Sequence, residues 1–198
     1  MHNQDNIQPS YPSHLYGHGN PTLWGAIVQR LDYMISNHSR VMFIRLDLHF
    51  PNSIDIERPG DVFSRFMASF IKTLRIRRLN PNYVWSQEKN ANASNPHFHI
   101  VLFIDSRTLQ RPYSVIEHAK QLWNKWLGGN GSGCVHECRN QRDWGLPNGT
   151  IIDRGSSDYH EKYHAVAQWA AYLAKMHSST GSIRHGRSFG CSQLPAGF

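Results

Sequence analysis

The chain has 198 residues, 39% of them hydrophobic, and 21 Lys and Arg against 14 Asp and Glu give a formal charge of +7 and a pI near 9.5. That length accommodates one substantial core, and that charge suits a polyanionic partner. No apolar run approaches the ~20 residues of a membrane helix, the opening MHNQDNIQPSYPSH lacks the basic and apolar stretches of a secretion signal, and three Cys cannot complete a disulfide framework. The expectation is a cytoplasmic protein with reduced thiols and no membrane partner.

Residues 1–20, rich in Asn, Pro, Ser, His and Tyr, read as a flexible N-terminal arm, and 21–198 as a single domain. Leu23, Trp24, Ile27, Leu31, Met34 and Ile35 recur at helical spacing after Pro21, so a helix is predicted to end near Asn37. The stretch VMFIRLDLHF, 41–50, alternates as a strand, with Ile44, Leu46, Leu48 and Phe50 on one face and Phe43, Arg45, Asp47 and His49 on the other. A polar loop is predicted to run to Pro59 and Gly60. DVFSRFMASFIKTLRIRRL then reads as an amphipathic helix capped by Asp61, with a basic end at Lys72, Arg75, Arg77 and Arg78. Those cations complement the helix dipole and are also candidate phosphate contacts. YVWSQE, 83–88, and HFHIVLFID, 97–105, form a predicted hairpin closed by a long turn-rich loop. A helix over 113–127 follows, then short strands around GCVHEC and TIID, then a helix from Tyr159 to His177 and a Gly, Ser and Arg-rich tail. Helices in blocks among strands that neighbour one another in sequence indicate an α+β fold with a mainly antiparallel sheet.

The chemistry concentrates on the hairpin. His97 and His99 project from one face of an otherwise apolar strand, where unpartnered imidazoles are costly and a divalent cation is a natural common partner. Hydrogen bonding of both rings to neighbours is the plainer alternative. Glu88, at the end of the preceding strand, is the candidate third ligand; Gln87 is the adjacent candidate, and because neighbouring strand positions point to opposite faces only one of the two can serve. Two imidazoles and a carboxylate suit Mg²⁺ or Mn²⁺ and admit other first-row ions. On the last helix His164, Gln168, Tyr172 and Lys175 share an arc of roughly 80°, so Gln168 or His164 is the alternative third ligand. Tyr172 is the candidate nucleophile and Lys175, one turn on, the candidate stabiliser of developing charge. Tyr163 falls about 180° away from Tyr172. The run Cys134, His136, Cys138 places three soft ligands on one face of a strand, one short of a zinc site.

PHFHIVLF resembles the metal-binding motif of the HUH endonucleases, YLAK at 172–175 resembles their single-tyrosine Y-x-x-K motif, and Glu88 matches the acidic ligand. FIRLDLHFP resembles their first, mainly structural, motif. With GRSFGCS near the end, the chain is most similar to inovirus gene II-like replication-initiation proteins and related prophage proteins, over roughly 41–190. The resemblance implies a ferredoxin-like HUH core and a divalent metal ion, Mg or Mn first, held by Glu88, His97 and His99. It further implies single-stranded or hairpin origin DNA attacked by Tyr172, giving a 5′-phosphotyrosine and a 3′-OH that primes rolling-circle synthesis. Arg45, Lys72, Arg75, Arg77, Arg78, Arg184 and Arg187 are the candidate DNA contacts, and Trp85, Trp123, Trp126 and Trp144 candidate stacking platforms or core. The sequence has no Walker loop, so a host helicase and polymerase are expected partners. A relaxase or single-strand transposase, a non-enzymatic nucleic-acid-binding domain and a zinc-stabilised regulator are the alternatives.

Overall fold

The computed structural model describes residues 19–51, 55–88, 95–138, 146–176 and 188–197, with the side chains of Lys175 and Met176 excepted. The bulk of the expected arm, the tip of the hairpin loop, Trp144, Arg184 and Arg187 lie outside the described residues. Among the described residues there are helices α1 (Pro21–Asn37), α2 (Pro59–Ile76), α3 (Tyr113–Trp126), α4 (Tyr159–Ala170) and α5 (Tyr172–Met176), and strands β1 (Arg40–Leu48), β2 (Asn82–Glu88), β3 (His97–Asp105), β4 (Val135–Glu137), β5 (Ile151–Asp153) and β6 (Phe189–Cys191).

The strands form one sheet in the order β4-β1-β3-β2-β6, with β5 also on β1, and their pairings are antiparallel. The run β1-α2-β2-β3-α3-β4 with that strand order is the ferredoxin-like arrangement, so the α+β expectation holds. Strand alternation divides the core in two. Val41, Phe43, Val84, Val101 and Phe103 pack under α1, α4 and α5; Met42, Ile44, Leu46, Phe98, Ile100 and Leu102 pack under α2 and α3. On the second side Phe98 stacks on Phe63 with centroids 3.9 Å apart and planes within 5°. Burying such an aromatic contributes about 1.5–3 kcal/mol.

Local chemistry sets the helix starts. The Asn20 side chain accepts a hydrogen bond from Leu23 N–H at 3.1 Å ahead of Pro21, which stands in the first turn of α1. α2 starts earlier than its pattern suggests: Pro59 occupies the first turn, Arg58 is the cap residue, and Asp61, the expected cap, lies inside the first turn beside the dipole's positive end. The predicted helix over 159–177 is divided at Ala171. There Ala174 N–H bonds back only three residues, to Ala171 C=O at 2.9 Å, which tightens the turn between α4 and α5. β6, unanticipated within the tail, pairs with the outer edge of β2; its Gly190 lies against the Trp85 indole, where a Cβ would sit 2.8 Å from ring atoms.

β4 and β5 share one edge of β1 with a gap between them. Asn148 fills it: its amide accepts from Arg45 N–H at 2.8 Å and donates to Arg45 C=O at 2.9 Å, satisfying the backbone that a strand would have paired. That edge contact falls at Arg45, where the functional residues begin.

Candidate active site

The register gives the site its layout. On the sheet face that carries α1, α4 and α5, cross-strand partners fall in rows: Arg45 opposite Val101, then Asp47 between His99 and His136, with Ser86 beyond His99, then Glu88 opposite His97. His49 follows β1 at the same end; its N–H donates to Cys134 C=O at 2.8 Å, and its own C=O accepts from the Trp123 indole N–H at 2.8 Å. The helices pack over the Phe43 and Val101 end, and the polar rows occupy the rest of the face.

His99 is the centre of a buried network. It is 3% exposed, with Nδ1 2.7 Å from Asp47 Oδ1 and Nε2 3.2 Å from Glu88 Oε2. Burial opposes charge on this ring, yet the hydrogen bonds to Asp47 and Glu88 prevail and hold its pKa above the ordinary value. Burial likewise works against ionised Asp47, but His99, the Arg45 guanidinium and the Cys138 thiol together hold its pKa well below the usual carboxylate range. Arg45 Nη2 lies 3.5 Å from Asp47 Oδ2. Its guanidinium carbon also sits 4.7 Å from the centroid of the Tyr172 ring, a cation–π distance. One continuous set of contacts therefore runs from Glu88 through His99, Asp47 and Arg45 to Tyr172.

A second group of rings borders it. His97 and His49 are 4.0 Å apart between centroids and His49 and His136 4.7 Å. Burial and the neighbouring imidazoles of His97 and His136 depress His49 to about 4, and burial and His99 lower His97. Both rings are thus neutral near pH 7, the protonation state a metal ligand needs.

Among the described residues no three His, Cys, Asp or Glu side chains are already closed around a common cation position. His99 is instead shared between two carboxylates, and His97 packs against His49. In chemical type the donors, two imidazoles and a carboxylate, suit a divalent ion. Asp47 fixes His99 by Nδ1, leaving Nε2 facing Glu88, and a carboxylate holding the far nitrogen of a ligating imidazole is the usual outer support of such sites. Two ligands at ~2.1 Å from one ion stand about 3 Å apart, close to the 3.2 Å between Glu88 and His99. Two buried polar atoms of the adjoining positions, Ser86 Oγ and Arg45 Nε, have no hydrogen-bond partner, which leaves polar capacity for a ligand at this face.

The expected residues divide by placement. The structure brings Glu88, His97, His99, Arg45 and Tyr172 to this face. α5 carries Lys175 three residues after Tyr172, with its side chain outside the described residues. Gln168 is exposed and His164 packs against Tyr163. Tyr163 is buried, its phenol donating to Asp32 at 2.5 Å and pushed up by burial and that carboxylate. Lys72, Arg75, Arg77 and Arg78 are exposed at the end of α2, on the opposite side of the sheet. Trp123 is fully buried core, while Trp85 and Trp126 are partly buried against the α2 and α3 side.

The three soft ligands do not share one face: Cys134 packs with the α2 and α3 cluster and Cys138 with the α1 and α4 cluster. Cys134 precedes β4, in a turn where its N–H bonds to Gly131 C=O, so strand alternation does not reach it. The strand FIRLDLHFP does more than support the fold, since Arg45, Asp47 and His49 all enter the site. Their shared parity was visible in the sequence; the cross-strand neighbours that make three polar residues useful there, Ser86 and His136 among them, were not.

The family described as "YagK/YfjJ C-terminal domain" matches residues 21–192. No curated protein matches the chain by sequence. Among solved structures, the catalytic domain of the adeno-associated virus type 5 Rep protein is similar over 67% of this chain and 98% of that one, at 11% identity and a TM-score of 0.37.

Proposed function

The chain belongs to the YagK/YfjJ C-terminal domain family, and from the site it carries we propose that it nicks and rejoins single-stranded DNA as a metal-dependent endonuclease and strand transferase with Tyr172 as nucleophile. The observation that supports this reading is the contact of Tyr172 with Arg45, a residue one strand row from His99 and two from Glu88. A tyrosine, a buried guanidinium and a group of imidazoles with a carboxylate are the parts a phosphoryl transfer needs: nucleophile, charge stabilisation and a cation platform.

In the proposed reaction the Tyr172 oxygen forms a bond to phosphorus as the bond from phosphorus to the 3′ oxygen breaks. The phenol proton passes to solvent and the departing oxygen takes one up, leaving a 5′-phosphotyrosine and a free 3′-OH. Rejoining reverses these steps. Glu88, His97 and His99 would hold a divalent ion, Mg or Mn first, which when bound polarises the phosphate and offsets its charge. Asp47 holds the His99 ring by Nδ1, so that Nε2, which faces Glu88, would give up its proton on taking a bound ion. Arg45 steadies the Tyr172 ring by its face and adds positive charge beneath it. Lys175, three residues after Tyr172 on the same short helix, would neutralise developing charge.

The target of such an enzyme is single-stranded or hairpin origin DNA of a phage or related mobile element, with a host helicase and polymerase continuing rolling-circle synthesis. A relaxase or single-strand transposase would use the same site on different DNA. The test is incubation with end-labelled, hairpin-containing single-stranded DNA from the protein's own element and Mn²⁺. Cleavage with a denaturant-resistant protein adduct, both lost with chelator, is the expected result. Tight DNA binding with no cleavage on any such DNA would favour a non-enzymatic binding domain instead.

A further inference from the structure

The end of the sheet remote from the site carries a second feature. Arg75, Ile76, Arg77 and Arg78 are all exposed, and Ile76 and Tyr113, each 71% exposed, are the large hydrophobic side chains most open to solvent among the described residues. They belong to one surface. Arg77 Nη2 donates to Ser114 Oγ at 2.8 Å, tying the end of α2 to the start of α3 beside Tyr113. The following turn meets the end of β3, where Asp105 N–H donates to Leu79 C=O at 2.8 Å, and this brings in exposed Arg107. The acids nearby are committed: Asp105 is buried and bound by Arg107 at 2.7 Å, and Glu117 receives Lys120 at 2.7 Å. Arg75, Arg77 and Arg78 are thus exposed and make no ion pair with a carboxylate among the described residues.

Arg78 adds an independent observation. It adopts φ of 60° immediately after the helix, the left-handed position that glycine fills without strain. An arginine there sacrifices backbone comfort and adds a cation to the surface, and such strained positions cluster where a side chain has work to do.

We infer that this surface is a second nucleic-acid contact, which holds the single-stranded DNA flanking the cut. The inference rests on the proposed nicking activity only for the identity of the DNA. Exposed cations with an aromatic and an aliphatic side chain among them suit unpaired bases, which offer faces for Tyr113 and Ile76 as well as phosphates for the arginines. A duplex keeps its base faces stacked and would offer this surface phosphates and groove edges. His97 and Asp105 are the two ends of β3, so at ~3.3 Å per residue the surface lies about 26 Å from the site. An oligonucleotide of a few residues at Tyr172 does not reach it, and a longer one does.

The test is fluorescence anisotropy of the full chain with labelled oligothymidylates of about 8 and about 40 nucleotides, chosen against site sizes of roughly 4–16. The double variant Arg75→Glu, Arg78→Gly should bind the long probe about tenfold more weakly at ~0.1 M salt, with the log-log salt slope reduced by about 1.4 for two lost cations. The short probe should be unaffected, and so should the melting temperature, since glycine relieves the turn. Tyr113→Ala should weaken long-probe binding about fivefold. Equal losses on both probes, no loss on either, or a loss confined to a duplex probe would overturn the inference. Because binding is read apart from cleavage, a wild type that shows the long-probe effect yet forms no adduct would remove the nicking activity and leave the surface standing.

Discussion

Replacing Asp47 with Asn tests whether the network beneath His99 is what organises the site. Asp47 accepts from His99 at 2.7 Å, faces Arg45 at 3.5 Å and is hydrogen-bonded by Cys138. Asn preserves shape and one acceptor oxygen but removes the charge, so Arg45, only 6% exposed, loses its counter-ion in a place water scarcely reaches. A charge-assisted hydrogen bond contributes about 1.5–3 kcal/mol and leaving one member of a buried pair alone costs about 3–5 kcal/mol. Asp47 retains 18% side-chain exposure, so part of that penalty is recovered by solvent, and the net destabilisation should be about 2–4 kcal/mol. For a chain of 198 residues this is a fall in Tm of about 5–15 °C. Loss of the outer support should also weaken Mn²⁺ binding about 10–100-fold. Thermal unfolding by circular dichroism and titration calorimetry with Mn²⁺ read the two effects separately. A variant that melts within 2 °C of wild type and binds Mn²⁺ equally well would refute the role given to Asp47.

Three further outcomes follow from packing and protonation. Phe98→Ala, which empties the stack against Phe63 on the far side of the His strand, should lower stability by about 3–5 kcal/mol in urea denaturation. Gly190→Ala would put a methyl 2.8 Å from the Trp85 ring and should cost about 1–3 kcal/mol, with faster amide exchange in β6 as the local readout. His49 has a folded pKa near 4 because burial and the adjoining imidazoles disfavour its charge. Its contribution to stability is therefore full above the unfolded value of about 6.5 and is lost as pH falls from there towards 4. In chelator, wild type should lose stability over that window more steeply than His49→Gln; parallel curves would contradict the assignment.

The core strands and most helices were legible because their signals are local and periodic. VMFIRLDLHF shows which residues share a face, and the hairpin parity places Glu88 with His97 and His99. What escaped depends on chain folding. Asp47 is 52 residues from His99, and His136 joins the same row only through β4. Asn148 substitutes for strand pairing with a side chain, which leaves no periodic trace. β6 is three residues long and marked by a glycine whose purpose is the Trp85 ring across from it. The kink at Ala171 changes how Tyr172 relates to Gln168 and His164, and no residue with a strong turn preference announces it.

The most direct test of the central claim is to locate the bond between protein and DNA. After reaction with single-stranded origin DNA and Mn²⁺, nuclease trimming and proteolysis, mass spectrometry should find a nucleotide 5′-phosphate on the peptide containing Tyr172, and Tyr172→Phe should yield none. A nucleotide attached at another residue, or an undiminished adduct in Tyr172→Phe, would contradict the account.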